Sequence, residues 1–202
     1  MTNPFNAKYI RPGAMAYICP PQTSISRLTD CFISCACRGQ VIGPHGAGKS
    51  SLLISLEKEL LRRGYPVKSV VLNSLQRRLP PEALNVPTKG ILIIDGFEQL
   101  SFFRRQIVLF LCYWKRWGLL ISSHRSVGLP TLWETRMDAV FARALVEELI
   151  ETNANLSSKS KADCLSELPD LEPLLLSHNG NLREVFFDLY DWYEKAVSSL
   201  SG

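Results

Sequence analysis

Gly43-Pro44-His45-Gly46-Ala47-Gly48-Lys49-Ser50 is the stretch whose reading decides the rest of the chain. It fits G-x-x-x-x-G-K-[ST], a glycine-rich loop whose backbone N–H groups close around phosphates. Before it, Gln40-Val41-Ile42 is short and apolar, as a buried strand is. After it, Leu52, Leu53, Leu56, Leu60 and Leu61 recur at helical spacing up to Arg63. Strand, glycine-rich turn and helix together are the context the pattern needs. The helix start adds unpaired N–H groups and a partial positive charge, which favour an anion. Residues Gly43 to Ser51, with Pro44, His45, Gly46, Ala47 and Gly48 between, are therefore read as the phosphate site. Lys49 is expected to reach the β- and γ-phosphates, and the Ser50 hydroxyl to ligate Mg²⁺. A helix cap alone would leave Lys49 unexplained.

Working outward, Ile91-Leu92-Ile93-Ile94-Asp95 is four apolar residues ending in an acid. An unbroken apolar run suits a parallel strand buried on both faces. Its carboxyl end lands where α/β sheets bind ligands. Asp95, 46 residues after Lys49, is thus expected to help hold Mg²⁺ with Ser50. Glu98 follows and is the candidate to orient or deprotonate an attacking water, against a plain first-turn glutamate. From Glu98 to Trp117 one long helix is predicted, with Leu100, Phe103, Ile107, Phe110, Leu111 and Trp114 as a wide apolar stripe facing the core. Leu119 to Arg125 reads as a fourth strand. Its polar end offers Ser123 or His124 as a γ-phosphate contact, against a solvent-facing cluster. A short fifth strand is expected near Ala139 to Ala142. Arg125 and Arg136 read as surface arginines before they read as fingers toward a neighbouring subunit.

The length of 202 residues suits one α/β domain with a small appendage. At 46% hydrophobic the chain has ample core material. A net charge of +4 permits acidic or nucleic-acid partners without demanding them. Cys31, Cys35 and Cys37 lack zinc-knuckle spacing and read as buried reduced thiols. No signal peptide and no membrane span is read, so a cytoplasmic protein is the expectation. Residues 1–23 form an extended, proline-rich arm, with Phe5, Tyr9 or Tyr17 pinning it to the core or lying over a base. Residues 24–152 form the core. The polar run 153–162 marks a boundary, and short helices over 161–168, 171–177 and 182–197 build a helical piece spanning 153–202.

These residues in order resemble the AAA+ ATPases among P-loop NTPases. Gly43–Ser50 resembles Walker A, Ile91–Asp95 resembles Walker B, and Ser122–His124 stands where sensor 1 stands. Gly180-Asn181-Leu182-Arg183 resembles the start of the sensor 2 helix. The resemblance implies an α/β three-layer sandwich with a mostly parallel sheet and a small C-terminal helical lid. It also implies ATP with Mg²⁺, and a γ-phosphate contact from Arg183. Asp95-Gly96, where most AAA+ proteins carry Asp-Glu, is closer to the NACHT and other signalling NTPases. Four functions compete: ATP hydrolysis driving a conformational change, a non-hydrolysing nucleotide switch, a small-molecule kinase, and a DNA-dependent ATPase or loader. Residues 153–181 carry no arginine, which counts against a kinase lid. The pairs Arg62-Arg63, Arg77-Arg78 and Arg104-Arg105 are candidates to touch a phosphate backbone, against the plainer reading as solvated surface arginines. A homo-oligomer or a protein partner is left open by the sequence, and no membrane contact is expected.

Overall fold

The computed structural model describes residues 3–6, 17, 19, 23–136, 139–152 and 158–200. Tyr9 lies outside them. In chain order the elements are α1 (Ile25–Ser34), β1 (Arg38–Ile42), α2 (Lys49–Arg62), β2 (Val67–Val71), β3 (Ile91–Asp95), α3 (Phe102–Trp114), β4 (Gly118–Ser123) and β5 (Thr131–Glu134). They continue with α4 (Ala139–Thr152), α5 (Ser158–Ser166), α6 (Leu171–Ser177) and α7 (Leu182–Leu200). Single 3-10 turns lie at Pro81–Leu84 and Phe97–Gln99.

The chain clusters into two compact units. One comprises 19–43 and 48–135; the other comprises 1–18, 44–47 and 136–202.

The first unit is an α/β sandwich built on one sheet. Its five strands are all parallel, in the order β2-β3-β4-β1-β5. β3 and β4 lie inside the sheet and are buried on both faces, as their unbroken apolar runs require. Successive side chains alternate between faces. Leu92, Ile94, Leu119 and Ile121 share one cluster with Val108 and Cys112 of α3. Ile91, Ile93 and Leu120, of opposite parity, are equally buried, and α2 packs across β1 to β4. Leu52, Leu53, Leu56 and Leu60 are the buried face of α2. Ser24 caps α1, accepting from the Arg27 N–H at 3.2 Å.

The long helix expected over 98–117 is broken. A 3-10 turn ends at Gln99, Leu100 is extended at ψ 140, and α3 starts only at Phe102. The stripe expected to be core is split as well. Leu100 is buried, but Phe103, Ile107, Phe110 and Trp114 are 78, 56, 65 and 68% exposed. Val108 and Cys112, one step round the helix, take the core positions. The fifth strand is Thr131–Glu134, eight residues before the expected place, and Ala139 begins a helix. Among the clustered cysteines, Cys31 is exposed and Cys35 and Cys37 are half-buried, so they are not core thiols.

The second unit is helical around its own apolar cluster. Ala142, Val146, Leu149 and Ile150 of α4 join Leu171 and Leu175 of α6 and Leu182, Val185, Phe186, Leu189 and Tyr193 of α7. Phe5 is buried here, 6.4 Å from the Phe186 ring and 6.2 Å from that of Tyr193. Asn3 holds the arm in place, its amide donating to the Tyr190 carbonyl at 3.0 Å and to Glu194 Oε1 at 2.9 Å. Tyr17 packs on Phe141 with centroids 6.2 Å apart. Phe5 and Tyr17 are thus pinning residues. No described helix is long and apolar enough to cross a membrane.

Candidate functional site

The site begins where β1 ends. The Gly43 N–H donates to the Ser123 carbonyl at 3.2 Å, tying the loop's first residue to the end of β4. A side chain at Gly43 would collide with Thr135, which explains a glycine there. Thr135 in turn donates both its N–H and its hydroxyl to the Ile42 carbonyl, at 2.8 and 3.2 Å. Gly48, at φ 81, turns the chain into α2 without a side-chain cap. The first-turn N–H groups of α2 therefore have no side-chain acceptor from that position.

Lys49 is only 9% exposed, and its Nζ donates to the Gly43 carbonyl at 2.8 Å. Burial lowers its pKa from the ordinary lysine value; the charges of Glu98 and Asp95 pull the other way. His124 Nδ1 stands 3.1 Å from the same Gly43 carbonyl oxygen, which has lone pairs for both. On the far side of the ring, His124 Nε2 is 2.9 Å from Glu98 Oε1. The other carboxylate oxygen, Glu98 Oε2, is buried without a hydrogen bond. Glu98 sits in the 3-10 turn after β3. Arg105 of α3 secures that turn, donating to the Glu98 carbonyl at 2.6 Å and to the Leu100 carbonyl at 2.8 Å.

Asp95, at the end of β3, accepts from the Ser122 hydroxyl through Oδ1. The same hydroxyl oxygen accepts the Gly96 N–H at 2.8 Å. Ser122 is thereby the residue that sets the Asp95 carboxylate. Register predicts this: Ile94 pairs with Ile121, so Asp95 and Ser122 are the next neighbours on one face of the sheet. Ser123 points its carbonyl, not its hydroxyl, at the loop. Its hydroxyl lies 3.5 Å from the Arg125 N–H.

Lys49, Asp95, Glu98 and His124 are thus brought together, and Ser50 follows Lys49 on the first turn of α2. Pro44, His45 and Gly46 are exposed and Ala47 is buried. Arg183 is an exposed residue of the first turn of α7, in the helical unit. The sequence places Ser122, Arg105 and Asn181 within named stretches but does not point to these contacts. Asn181 packs so close to Gly46 (φ +70) that any side chain at Gly46 would collide with it. Its Oδ1 also accepts the Arg183 N–H at 3.2 Å, starting α7.

Ser50 and Asp95 carry hard oxygen donors, the kind Mg²⁺ takes, with phosphates and water completing its shell.

No protein-family model matches this chain, and no curated protein matches it. Among solved structures it is similar to AMPPCP-bound DnaA from Aquifex aeolicus, at 18% identity and a TM-score of 0.49. The match covers 83% of this chain and 62% of that one.

Proposed function

We propose that this chain is an ATP-binding P-loop ATPase of AAA+ type, with the Asp-Gly turn of the signalling NTPases. The observation that carries the proposal is the convergence of Lys49, Asp95, Glu98 and His124 beside a loop of Walker A sequence. Residues Gly43 to Ser51 would cradle the phosphates. Lys49 would exchange the Gly43 carbonyl for the β- and γ-phosphates, which relieves the cost of its burial. Ser50 and Asp95 would hold Mg²⁺, which when bound neutralises charge on the β- and γ-oxygens. Glu98 would orient or deprotonate the attacking water, with His124 fixing its carboxylate. Arg183 takes the γ-phosphate role that the AAA+ resemblance assigns to it. Hydrolysis would then drive a conformational change.

One observation favours a second reading. One oxygen of Glu98 faces His124 at 2.9 Å, which occupies half of the carboxylate that a base needs. A nucleotide switch that binds ATP and recruits a partner needs no base. Phosphate release from ATP, with Lys49→Ala and Glu98→Gln beside the natural protein, separates the two. Loss of turnover in both variants supports the ATPase. Tight ATP binding with no turnover, indifferent to Glu98→Gln, supports the switch.

A DNA-dependent enzyme draws less support. Arg62 and Arg63 are both paired with Glu59, Arg63 also with Asp30, and Arg105 is spent on backbone carbonyls. Adding DNA to the same assay tests that reading: stimulated turnover would restore it.

A further inference from the structure

Helix α3 is apolar all round. Of its 13 residues only Arg104, Arg105 and Gln106 are polar. Such a helix is one that is covered on every side. Yet only Val108 and Cys112 are fully buried. At 100° per residue, Phe102, Tyr113, Phe110, Phe103, Trp114 and Ile107 fall on one arc of about 140° that only the exposed Gln106 interrupts. All six are exposed. Elsewhere among the described residues no helix or strand carries more than one exposed large apolar side chain.

The ends of this arc are basic. Arg104 donates to the Arg77 carbonyl at 3.1 Å, which brings exposed Arg77 and Arg78 to the start of the helix. At the other end Lys115 lies 5.1 Å over the Trp114 ring and Arg38 lies 5.5 Å over the Tyr113 ring, with exposed Arg116 beside them. Residues 99–133 contain no Asp or Glu at all. The charge is polarised on a larger scale too: the unit carrying α3 has 15 Lys and Arg against 7 Asp and Glu.

We propose that the exposed face of α3 docks in the plane of an anionic lipid bilayer, with its aromatic arc at the acyl boundary and its basic ends on headgroup phosphates. Such a helix presents large apolar residues beside Lys and Arg. Trp and Tyr next to the cations suit the interfacial layer, where one end of a side chain is apolar and the other wet. Other occupants fit less well. A second copy pairing α3 on α3 sets basic end against basic end in either direction. A single strand of nucleic acid would meet cations at the two ends of the arc but none along the roughly 12 Å between Arg105 and Tyr113, whereas nucleic-acid channels line their whole track with positive charge.

The test is flotation of the full chain with vesicles of phosphatidylglycerol and phosphatidylcholine, against vesicles of phosphatidylcholine alone. Binding to the first, weakened by salt, is expected. The double variant Phe110→Ser/Trp114→Ser should lose at least about tenfold in partitioning, and brominated acyl chains should quench more of the tryptophan emission in the natural protein than in that variant, which keeps Trp117, Trp133 and Trp192. Both residues are exposed, and circular dichroism checks that the variant folds. Lys115→Glu/Arg116→Glu should weaken only the anionic vesicles. The proposal is overturned if no anionic vesicle binds at low salt, or if the double variant binds as well as the natural chain. It is equally overturned if that variant instead abolishes self-association or the binding of an oligothymidine.

Discussion

Helices α2 and α3 pack against the same sheet from chain segments that read alike, and they end differently. Both carry apolar residues at spacings of three and four. In α2 four of the five leucines are buried, Leu52, Leu53, Leu56 and Leu60, and only Leu61 at the edge of the stripe is exposed. In α3 the matching series Phe103, Ile107, Phe110, Trp114 faces outward, while Val108 and Cys112 face in. The difference lies in the opposite face. α2 sets Glu57, Lys58, Arg62 and Ser55 against its apolar side, so only one orientation is cheap. α3 has apolar side chains on both sides, and the break at Leu100-Ser101 sets which one turns in. Helical periodicity identifies an apolar face; it assigns that face to the core only when the other side is polar.

The sharpest way to break this comparison is to truncate both helices. Leu56→Ala, at a residue 1% exposed, should cost about 2–5 kcal/mol in urea denaturation. A small loss there would mean that α2 is not core. Next comes the turn that α3 stabilises. Ser122→Ala removes the hydroxyl shared by Asp95 and the Gly96 N–H and should cost about 1–3 kcal/mol. The same variant should raise the Mg²⁺ concentration needed for ATP binding, a shift that simple destabilisation would not produce. Phe110→Ser on the outer face should stay within about 0.5 kcal/mol of the natural protein; a loss as large as that of Leu56→Ala would place Phe110 in the core after all.

The smallest effect is electrostatic and separates α2's one buried charge from its leucines. Lys49 has its folded pKa lowered by burial, so above that pKa the unfolded chain binds more protons than the folded one. Its contribution to stability therefore rises with pH, up to the ordinary value of 10.5. Cys112 and Cys164, pushed up to about 11 by burial, act in the opposite direction above pH 9. They do so equally in Lys49→Met. Subtracting the two denaturation series leaves the Lys49 rise. A flat difference would show that the lysine is not desolvated in the ligand-free protein.

How far the sequence reached follows the same logic. The strand–loop–helix around Lys49 and the strand ending at Asp95 were legible because motif, periodicity and position agree there. β5 was not, since Thr131-Leu132-Trp133-Glu134 is too short to show alternation and becomes a strand only by pairing with β1. Ser122 was passed over for Ser123 because the motif position gives a neighbourhood, whereas strand parity gives the side chain that meets Asp95. Asn181 and Arg105 act through contacts between segments distant in sequence or through backbone carbonyls, which spacing does not reveal.

The central claim is that the Gly43–Ser51 loop and Asp95 form a nucleotide site. Titration calorimetry of the full chain with ATP and Mg²⁺, beside Lys49→Ala, tests it most directly. The account predicts one ATP bound per chain, with affinity reduced by roughly 10- to 100-fold in the variant, the effect of losing a charged hydrogen-bond donor. No binding of ATP, or equal binding by the variant, would contradict it.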